Sequence, residues 1–148
     1  MRALRLDFAE RRLTVADHPE PAPPGATEVW LRLLEGGVCG TDRGVAEFEF
    51  GCPPAGESGL ILGHEAVGVV EQTGANVTAL RPGDLVVPMV RRNCAPGCAM
   101  CRRGRRDNCL TGEYVERGIF GLHGYLCEYA VDDADDLVPV PPDRKSVV

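Results

Sequence analysis

Four of the chain's seven cysteines lie within sixteen residues, in the stretch NCAPGCAMCRRGRRDNC at positions 93–109. Three, two and seven residues separate them in turn, at Cys94, Cys98, Cys101 and Cys109. Four thiolates can bind one zinc ion only if the chain curls back on itself within a few residues. Pro96, Gly97 and Gly104 permit such curling. This stretch therefore predicts a compact lobe at about residues 91–112, held by a metal.

Other cysteine-based structures fit the spacing less well. Zinc ribbons separate two C-x2-C knuckles by a longer loop, and a cubane ferredoxin run ends in Cys-Pro, whereas Leu110 follows Cys109. An iron site and free thiols remain alternatives, and disulfides require an exported protein. A closed four-thiolate zinc site has no open coordination position, so we expect the chemistry elsewhere. The surrounding arginines would help offset its net charge of −2.

Composition limits the class of protein. A chain of 148 residues with 44% hydrophobic and 26% charged residues is typical of one soluble globular core. A net charge of −6 argues against nucleic acid as the main partner. The longest apolar stretches, such as DLVVPMV, are too short to span a bilayer, and MRALRLDFAERR offers no signal-peptide core. We expect a cytoplasmic protein that binds neither membrane nor nucleic acid.

Short strands and turns dominate the rest of the sequence. In EVWLRLL, Val29, Leu31 and Leu33 alternate with more polar positions, and LRLDF alternates similarly. Further strand candidates are AVGVVEQ, DLVVPMV, YLCEYAV and DLVPVP. No segment keeps a helical apolar period, and one short helix is expected after Thr41–Asp42, which would cap it. With eighteen glycines and twelve prolines, the sequence predicts a mainly β fold, a mostly antiparallel barrel with irregular loops, in one domain over residues 1–148.

A second set of possible metal ligands lies upstream. Cys39 sits between glycines in GGVCGTD, and His64 and Glu65 directly precede a strand in LGHEAVGVV. Thiolate, imidazole and carboxylate are the ligand types of catalytic zinc sites. One cysteine and one histidine 25 residues apart are nevertheless weak evidence. On the residues alone, a small buried cysteine and a hydrogen-bonded histidine are favoured.

The order of these pieces changes that balance. A Cys-Gly-Thr-Asp turn, Gly-His-Glu before a strand, RPGDLVV and then a four-cysteine lobe resembles the catalytic domain of zinc-dependent medium-chain alcohol dehydrogenases. DNCLTGEYVERGIFGLHGYLCEYAV is most similar to the glucose dehydrogenase branch. The resemblance extends to about Pro142, and it implies a GroES-like β-barrel.

The resemblance also implies roles for individual residues. Cys39 and His64 would bind a catalytic zinc ion, with Glu65 as a direct, exchangeable or nearby carboxylate. Thr41 would pass the substrate proton toward solvent, while zinc acts as a Lewis acid and a nicotinamide accepts hydride. Glu116 would contact sugar hydroxyls; its alternative is a solvated loop carboxylate. The four lobe cysteines match structural-zinc ligands, although their first spacing is one residue longer than the commoner one.

The sequence contains no G-x-G-x-x-G motif and no βαβ pattern for a dinucleotide. It stops at PPDRKSVV, and the further zinc-ligating glutamate of the glucose dehydrogenase branch has no counterpart. We therefore expect a truncated domain of an NAD- or NADP-dependent sugar, polyol or alcohol dehydrogenase. It would be inactive without the nucleotide-binding domain, and it could form a homo-oligomer.

Two other functions remain open. The first is a stand-alone GroES-like binding or assembly module with a purely structural zinc. The second, ranked last, is a nucleic-acid-binding zinc knuckle that uses the arginines around the cysteines, among which no aromatic residue is interleaved. The remaining residues of interest are expected to be free thiols at Cys52 and Cys127, surface or hydrogen-bonding histidines at His18 and His123, and a solvated turn at Asp132, Asp133, Asp135 and Asp136.

Overall fold

The computed structural model describes residues 1–141. Within them the chain forms ten strands and one short helix. The last seven positions of the predicted domain, including Pro142, lie outside the described residues. The strands are β1 Arg2–Asp7, β2 Arg12–Asp17, β3 Glu28–Gly37, β4 Gly59–Ile61, β5 Glu65–Thr73, β6 Leu85–Pro88, β7 Glu116–Arg117, β8 Gly121–Leu122, β9 Tyr129–Asp133 and β10 Leu137–Pro139. The helix α1 is Gly40–Ala46, and three 3₁₀ turns cover Cys101–Arg103, Arg106–Asn108 and Ala134–Asp136. Across residues 1–141, no helix has the length and apolar character needed to cross a membrane.

The larger sheet has five antiparallel strands in the order β10-β6-β5-β3-β9. Leu31 of β3 lies opposite Val70 of β5 and Ala130 of β9. Its inner face buries one hydrophobic cluster, made of Val29, Leu31, Val70, Leu80, Val86 and Leu137. The alternation predicted for β3 is confirmed, because Val29 and Leu31 are fully buried and Leu33 packs against the same cluster.

A smaller antiparallel sheet, in the order β2-β1-β4, leans against the segment that leads into β9. Ala3 forms a bridge with Cys127, and the backbone N–H of Leu4 donates to the carbonyl oxygen of Leu126 at 2.8 Å. The two sheets together make a curled half barrel, so the predicted mainly β architecture is confirmed. The strand pair β7-β8 is parallel and only two residues long.

Helix α1 begins two to three residues earlier than the sequence predicted. The prediction that Thr41–Asp42 caps the helix is wrong, because Cys39 is the N-cap residue. Its Sγ accepts the N–H of Thr41 at 3.3 Å, and the Asp42 carboxylate accepts the N–H of Cys39 at 2.9 Å. This reciprocal pair has the form of a capping box. Since Val45 of α1 packs in a buried cluster with Leu6, Leu60 and Leu62, the cap at Cys39 is fixed against the smaller sheet.

The predicted solvated turn at 132–136 is wrong for two of its four aspartates. Asp132 is only 3% exposed and accepts hydrogen bonds from Arg92 at 2.6 Å, from Arg117 at 2.9 Å and from the hydroxyl of Tyr125. Burial, followed by the Asp132 carboxylate, raises the pKa of Tyr125. The Asp132 carboxylate can be buried because three hydrogen-bond donors replace the water molecules that would otherwise solvate it.

Asp136 is the second aspartate of this segment that is ion-paired rather than solvated, with 14% of its side chain exposed. Its carboxylate pairs with Arg92 at 2.9 Å and with Arg106. Arg92 directly precedes the cysteine-rich stretch and Arg106 lies within it, so the network joins that lobe to the end of β9. These arginines therefore form internal ion pairs rather than part of an open basic surface.

The inner face of β3 supports a prediction about stability. Leu31→Ala should lower the free energy of unfolding by about 2–5 kcal/mol, because a fully buried leucine leaves a cavity. Leu34→Ala is the matched control on the same strand, since Leu34 is 45% exposed, and it should change stability by less than about 1 kcal/mol. Urea denaturation followed by circular dichroism measures both. Equal losses in the two variants would contradict this assignment of the core face.

Candidate metal centres

The structure brings the four lobe cysteines together. The Sγ atoms of Cys94, Cys98, Cys101 and Cys109 all lie within 4.8 Å of one another. The Sγ atoms of Cys98 and Cys109 are 4.0 Å apart, close to the roughly 3.8 Å expected between two thiolates around a tetrahedral zinc. A disulfide would need about 2.05 Å. The donor set and its spacing therefore fit a four-coordinate zinc ion.

Backbone turns prepare these sulfur atoms for a cation. Gly97 adopts a φ of +61°, and its N–H closes a turn onto the carbonyl oxygen of Cys94 at 2.8 Å. The N–H of Cys98 donates to Sγ of Cys94 at 3.2 Å, and the N–H of Leu110 donates to Sγ of Cys98 at 3.4 Å. The N–H groups of Leu110 and Cys101 lower the pKa of the Cys98 thiol to about 6. The backbone around Cys98 thus favours, at that residue, the thiolate form that a metal requires.

A second group of donors lies at the end of the β3-β5 pair. Potential ligand atoms of Cys39, His64 and Glu65 lie within 4.8 Å of one another, and Cys39 Sγ is 3.1 Å from His64 Nε2. Glu65 opens β5 opposite Gly37 of β3. A Cβ atom at Gly37 would lie 2.3 Å from Oε2 of Glu65, so this glycine leaves room for the carboxylate.

Asp42 backs this group and was not assigned a site role in the sequence analysis. Its Oδ1 lies 3.4 Å from Nδ1 of His64, and both side chains are buried. Neither atom has a hydrogen-bond partner within residues 1–141. A carboxylate behind one ring nitrogen directs the other nitrogen toward a metal, as in carboxylate–histidine–zinc triads. The signal in the sequence was the position of Asp42, three residues after Cys39 at the start of a helix.

Of the two other predicted site residues, Thr41 adjoins the group of Cys39, His64 and Glu65, whereas Glu116 is not part of it. Thr41 is in the first turn of α1, half-buried, and its N–H donates to Cys39 Sγ. Glu116 lies outside the three-residue group, and its carboxylate pairs with Arg91 at 2.8 Å. Arg91 also donates to the carbonyl oxygen of Asp107 at 3.3 Å. Glu116 is therefore an ion-paired side chain rather than a solvated one, and it is tied to the cysteine lobe.

The two centres differ in what they can do chemically. Four thiolates complete a tetrahedral shell and suit a structural role. Cys39, His64 and the exposed Glu65 supply at most three donors, and a cation held there retains a position for water or a substrate oxygen. The chemistry of the second donor set therefore fits a catalytic zinc ion.

Comparisons with known proteins agree with this geometry. The sequence model of the Alcohol dehydrogenase GroES-like domain family matches residues 25–142. Glucose 1-dehydrogenase of Methanocella arvoryzae is 49% identical over 135 residues, which cover 91% of this chain and 37% of the relative. The glucose dehydrogenase of Haloferax mediterranei, solved in complex with NADP, zinc and gluconolactone, superposes with a TM-score of 0.86 at 41% identity. That match covers 97% of this chain and 40% of the solved one.

A solved structure outside the glucose dehydrogenases shares the fold at lower identity. The alcohol dehydrogenase of Thermus sp. ATN1 has a TM-score of 0.78 at 28% identity, over 96% of this chain and 40% of that one. The chain thus spans about two fifths of the length of these proteins.

The contact between Asp42 and His64 generates a prediction. Asp42→Asn keeps an oxygen that can accept the N–H of Cys39, but it presents an amide to Nδ1 of His64. We expect zinc affinity at the Cys39–His64 site to fall about 10- to 100-fold, with the cysteine lobe unaffected. Competition against a chromophoric chelator measures both sites. Asp135→Asn, in an exposed turn, is the control; unchanged affinity in Asp42→Asn would show that the carboxylate does not orient His64.

Proposed function

The chain belongs to the zinc-dependent medium-chain alcohol dehydrogenase family, in its glucose dehydrogenase branch, and from this premise we propose that it supplies the zinc-binding, substrate-side domain of an NAD(P)-dependent sugar dehydrogenase. The observation that carries the proposal is the open group of Cys39, His64 and Glu65. It occurs together with a separate closed lobe of four cysteines. A metal centre with a free coordination position, beside a second centre whose four positions are all taken by cysteines, suits an enzyme better than a binding module with a single structural ion.

We assign roles to the residues of the open group. Cys39 and His64 would hold a zinc ion, with His64 using Nε2 because Asp42 faces Nδ1. Zinc bound there would act as a Lewis acid that makes a substrate hydroxyl more acidic. Glu65 is exposed, so its carboxylate can reach either the cation or the solvent beside it. Thr41, two residues after Cys39, would relay the proton: its hydroxyl oxygen would accept the substrate hydroxyl proton as its own proton is donated toward solvent.

Glu116 is proposed to bind sugar hydroxyls. Both nitrogens of Arg91 that pair with it contact the same oxygen, Oε1, at 2.9 and 2.8 Å. Oε2 is therefore outside the Arg91 pair and can accept hydrogen bonds from a polyhydroxylated ligand. An arginine-fixed, half-buried carboxylate would favour a sugar over a simple alcohol, because a ligand without matching hydroxyls leaves its free oxygen unpaired.

The hydride acceptor is proposed to be NAD or NADP, bound by a nucleotide-binding domain rather than by residues 1–141. The related Haloferax mediterranei structure contains NADP, zinc and gluconolactone, which supports a sugar substrate and a nicotinamide cofactor for the complete enzyme. The cysteine lobe would stabilise the loop beside β7 and thereby hold Glu116 in place.

Zinc content is the most direct test of the two-centre assignment. Native mass spectrometry of the chain purified without chelator should detect two zinc ions. Cys39→Ser and Cys98→Ser should each lose one, while Cys52→Ser, which replaces a thiol outside both groups, should keep two. A single zinc ion that survives Cys39→Ser would favour the alternative, a GroES-like binding module with a purely structural metal.

Activity can be tested by exchanging this chain for the matching region of the Methanocella arvoryzae glucose 1-dehydrogenase. The chimera should reduce NAD or NADP with glucose in preference to simple alcohols. Cys39→Ser in the chimera should lower kcat/KM about 1,000-fold or more, equivalent to about 4 kcal/mol. Cys52→Ser again serves as the control. A folded, zinc-loaded chimera that oxidises no sugar or alcohol would contradict the proposed activity.

A further inference from the structure

His123 makes two hydrogen bonds that fix its protonation state. Its Nδ1 accepts the backbone N–H of Ile61 at 3.2 Å, and its Nε2 lies 3.0 Å from Oε2 of Glu57. A nitrogen that accepts an N–H cannot itself carry a proton. Nδ1 is therefore unprotonated, and the single ring proton is on Nε2, where it is donated to the carboxylate. The bonded arrangement requires neutral imidazole.

The Ile61 bond belongs to a ladder that ends beside the proposed zinc ligand His64. The N–H groups of Gly124, Leu126 and Tyr125 donate to the carbonyl oxygens of Ile61, Leu62 and Gly63 at 2.7, 2.9 and 2.9 Å. Within this ladder, the Ile61 bond to His123 runs in the opposite direction, from segment 61–63 to segment 123–126. His123 thus supplies a hydrogen-bond acceptor for the Ile61 N–H, which points away from β1 at the free edge of β4.

The backbone of segment 118–126 packs tightly against the backbone of Gly63. A Cβ atom at Gly124 would lie 2.1 Å from the carbonyl oxygen of Gly63, and one at Gly118 would lie 2.2 Å from it. Gly63 itself adopts a φ of +93°, a conformation that favours glycine. Because backbone packs directly on backbone, a displacement of segment 123–126 is transmitted to the Gly63–His64 corner.

We propose that His123 is a positioning residue that holds the Gly63–His64 corner in place only while its imidazole is neutral. Uptake of a solvent proton at Nδ1 removes the acceptor for the Ile61 N–H and sets two N–H groups against each other. The link to zinc binding rests on the proposed function of His64, whereas the proton-sensitive contact to Ile61 does not.

The surroundings of His123 favour the neutral ring. The ring of His18 packs edge-on against it, with centroids 5.2 Å apart, and Arg117 donates to the carbonyl oxygen of His123 at 3.1 Å. Burial lowers the pKa of His123 below its usual value near 6.5; His18 and Arg117 lower it further, and Glu57 partly opposes them. His123 also lines a cavity of about 210 Å³. The other charged and titratable groups around this cavity are Glu20, Arg117, Tyr129, Cys127, His18 and the N-terminal amine of Met1, whose nitrogen donates to the carbonyl oxygen of His18.

The sign of the pH effect follows from this shift. Below about pH 6.5 the unfolded chain binds a proton at His123 that the folded chain does not bind. The contribution of His123 to stability is therefore complete above that pH and decreases as the pH falls toward the lower folded-state pKa.

A metal ion is the main competing occupant, because ligand atoms of His18, Glu57 and His123 lie within 4.8 Å of one another. A metal bound to Nε2 of a histidine requires a protonated Nδ1 that donates to an oxygen. At His123 the direction is reversed, since Nδ1 accepts an N–H. The hydrogen bonds therefore favour a proton on Nε2 over a cation.

The direct test is a long-range 1H–15N imidazole NMR titration of the zinc-loaded 148-residue chain, which contains only three histidines. At pH 7.5 His123 should show the Nε2–H tautomer, and its pKa should lie below the usual value near 6.5. The backbone amide of Ile61 should titrate with the same midpoint. A Nδ1–H tautomer, or a midpoint at or above 6.5, would overturn the proposal.

Variants separate positioning from simple packing. His123→Asn keeps an acceptor near the Nδ1 position without a titratable group, whereas His123→Leu removes it. Wild type should lose several degrees of Tm between pH 7.5 and 5.5. His123→Asn should lose markedly less, and His123→Leu should already be destabilised at pH 7.5. His18→Gln, which leaves the Ile61 contact intact, should still lose Tm as the pH falls, but by a smaller amount than wild type, because His18 no longer lowers the pKa of His123. An unchanged pH dependence in His123→Asn would refute the role of this ring.

Zinc measurements on the same samples distinguish this proposal from the proposed function. If His123 acts on the corner, the Cys39–His64 site of wild type should lose affinity between pH 7.5 and 6.0 more steeply than that of His123→Asn. Parallel losses would overturn the coupling to His64. Absence of zinc at that site at pH 7.5 would instead contradict the proposed function, and the titration of the Ile61 amide would then decide whether the His123 contact is proton-sensitive. A zinc ion lost only in His123→Asn would identify a metal site and overturn the proposal.

Discussion

The antiparallel pairing of β3 with β5 is the constraint on which the open metal centre depends. It sets Gly37 opposite Glu65, so the turn that follows β3 meets the turn that precedes β5. Sγ of Cys39 and Nε2 of His64, 25 residues apart in sequence, thereby lie 3.1 Å from each other. The pairing is held by its buried face, where Leu31 and Val70 lie opposite each other. A one-residue slip would turn that face to solvent and separate the donors at the same time.

Buried charge performs a comparable task for the cysteine lobe. Arg92 and Arg106 belong to the lobe and pair with the carboxylate of Asp136, while Arg92 also pairs with Asp132. Such buried pairs contribute little net stability, because desolvation offsets their attraction. They are directional, however, and loss of one partner leaves an uncompensated charge inside the protein. Their effect is to fix where the lobe joins the sheet, and Arg91 extends that connection to Glu116.

Local patterns allowed part of this structure to be predicted from the sequence. Alternation at Val29, Leu31 and Leu33 predicted the core face of β3, and the spacing of the four cysteines predicted their convergence. The acidic run at 132–136 led to a wrong prediction, because its partner Arg92 lies 40 residues from Asp132 in the sequence and only the fold brings the two side chains together. The cluster of His18, Glu57 and His123 was equally invisible, since no periodicity links three positions so distant in sequence. Contacts made by distant side chains depend on the packing of whole elements, which short patterns do not encode.

Asp42 shows why folding and site geometry are difficult to separate in this domain. One of its oxygens accepts the N–H of Cys39 and closes the first turn of α1, and the other faces Nδ1 of His64. The same carboxylate therefore completes a helix cap and orients a proposed ligand. Fraying of the helix and misorientation of the imidazole become one event, because both follow from movement of a single buried side chain. A metal bound between Cys39 and His64 would in turn stabilise the cap, so metal binding and the folding of α1 are thermodynamically linked.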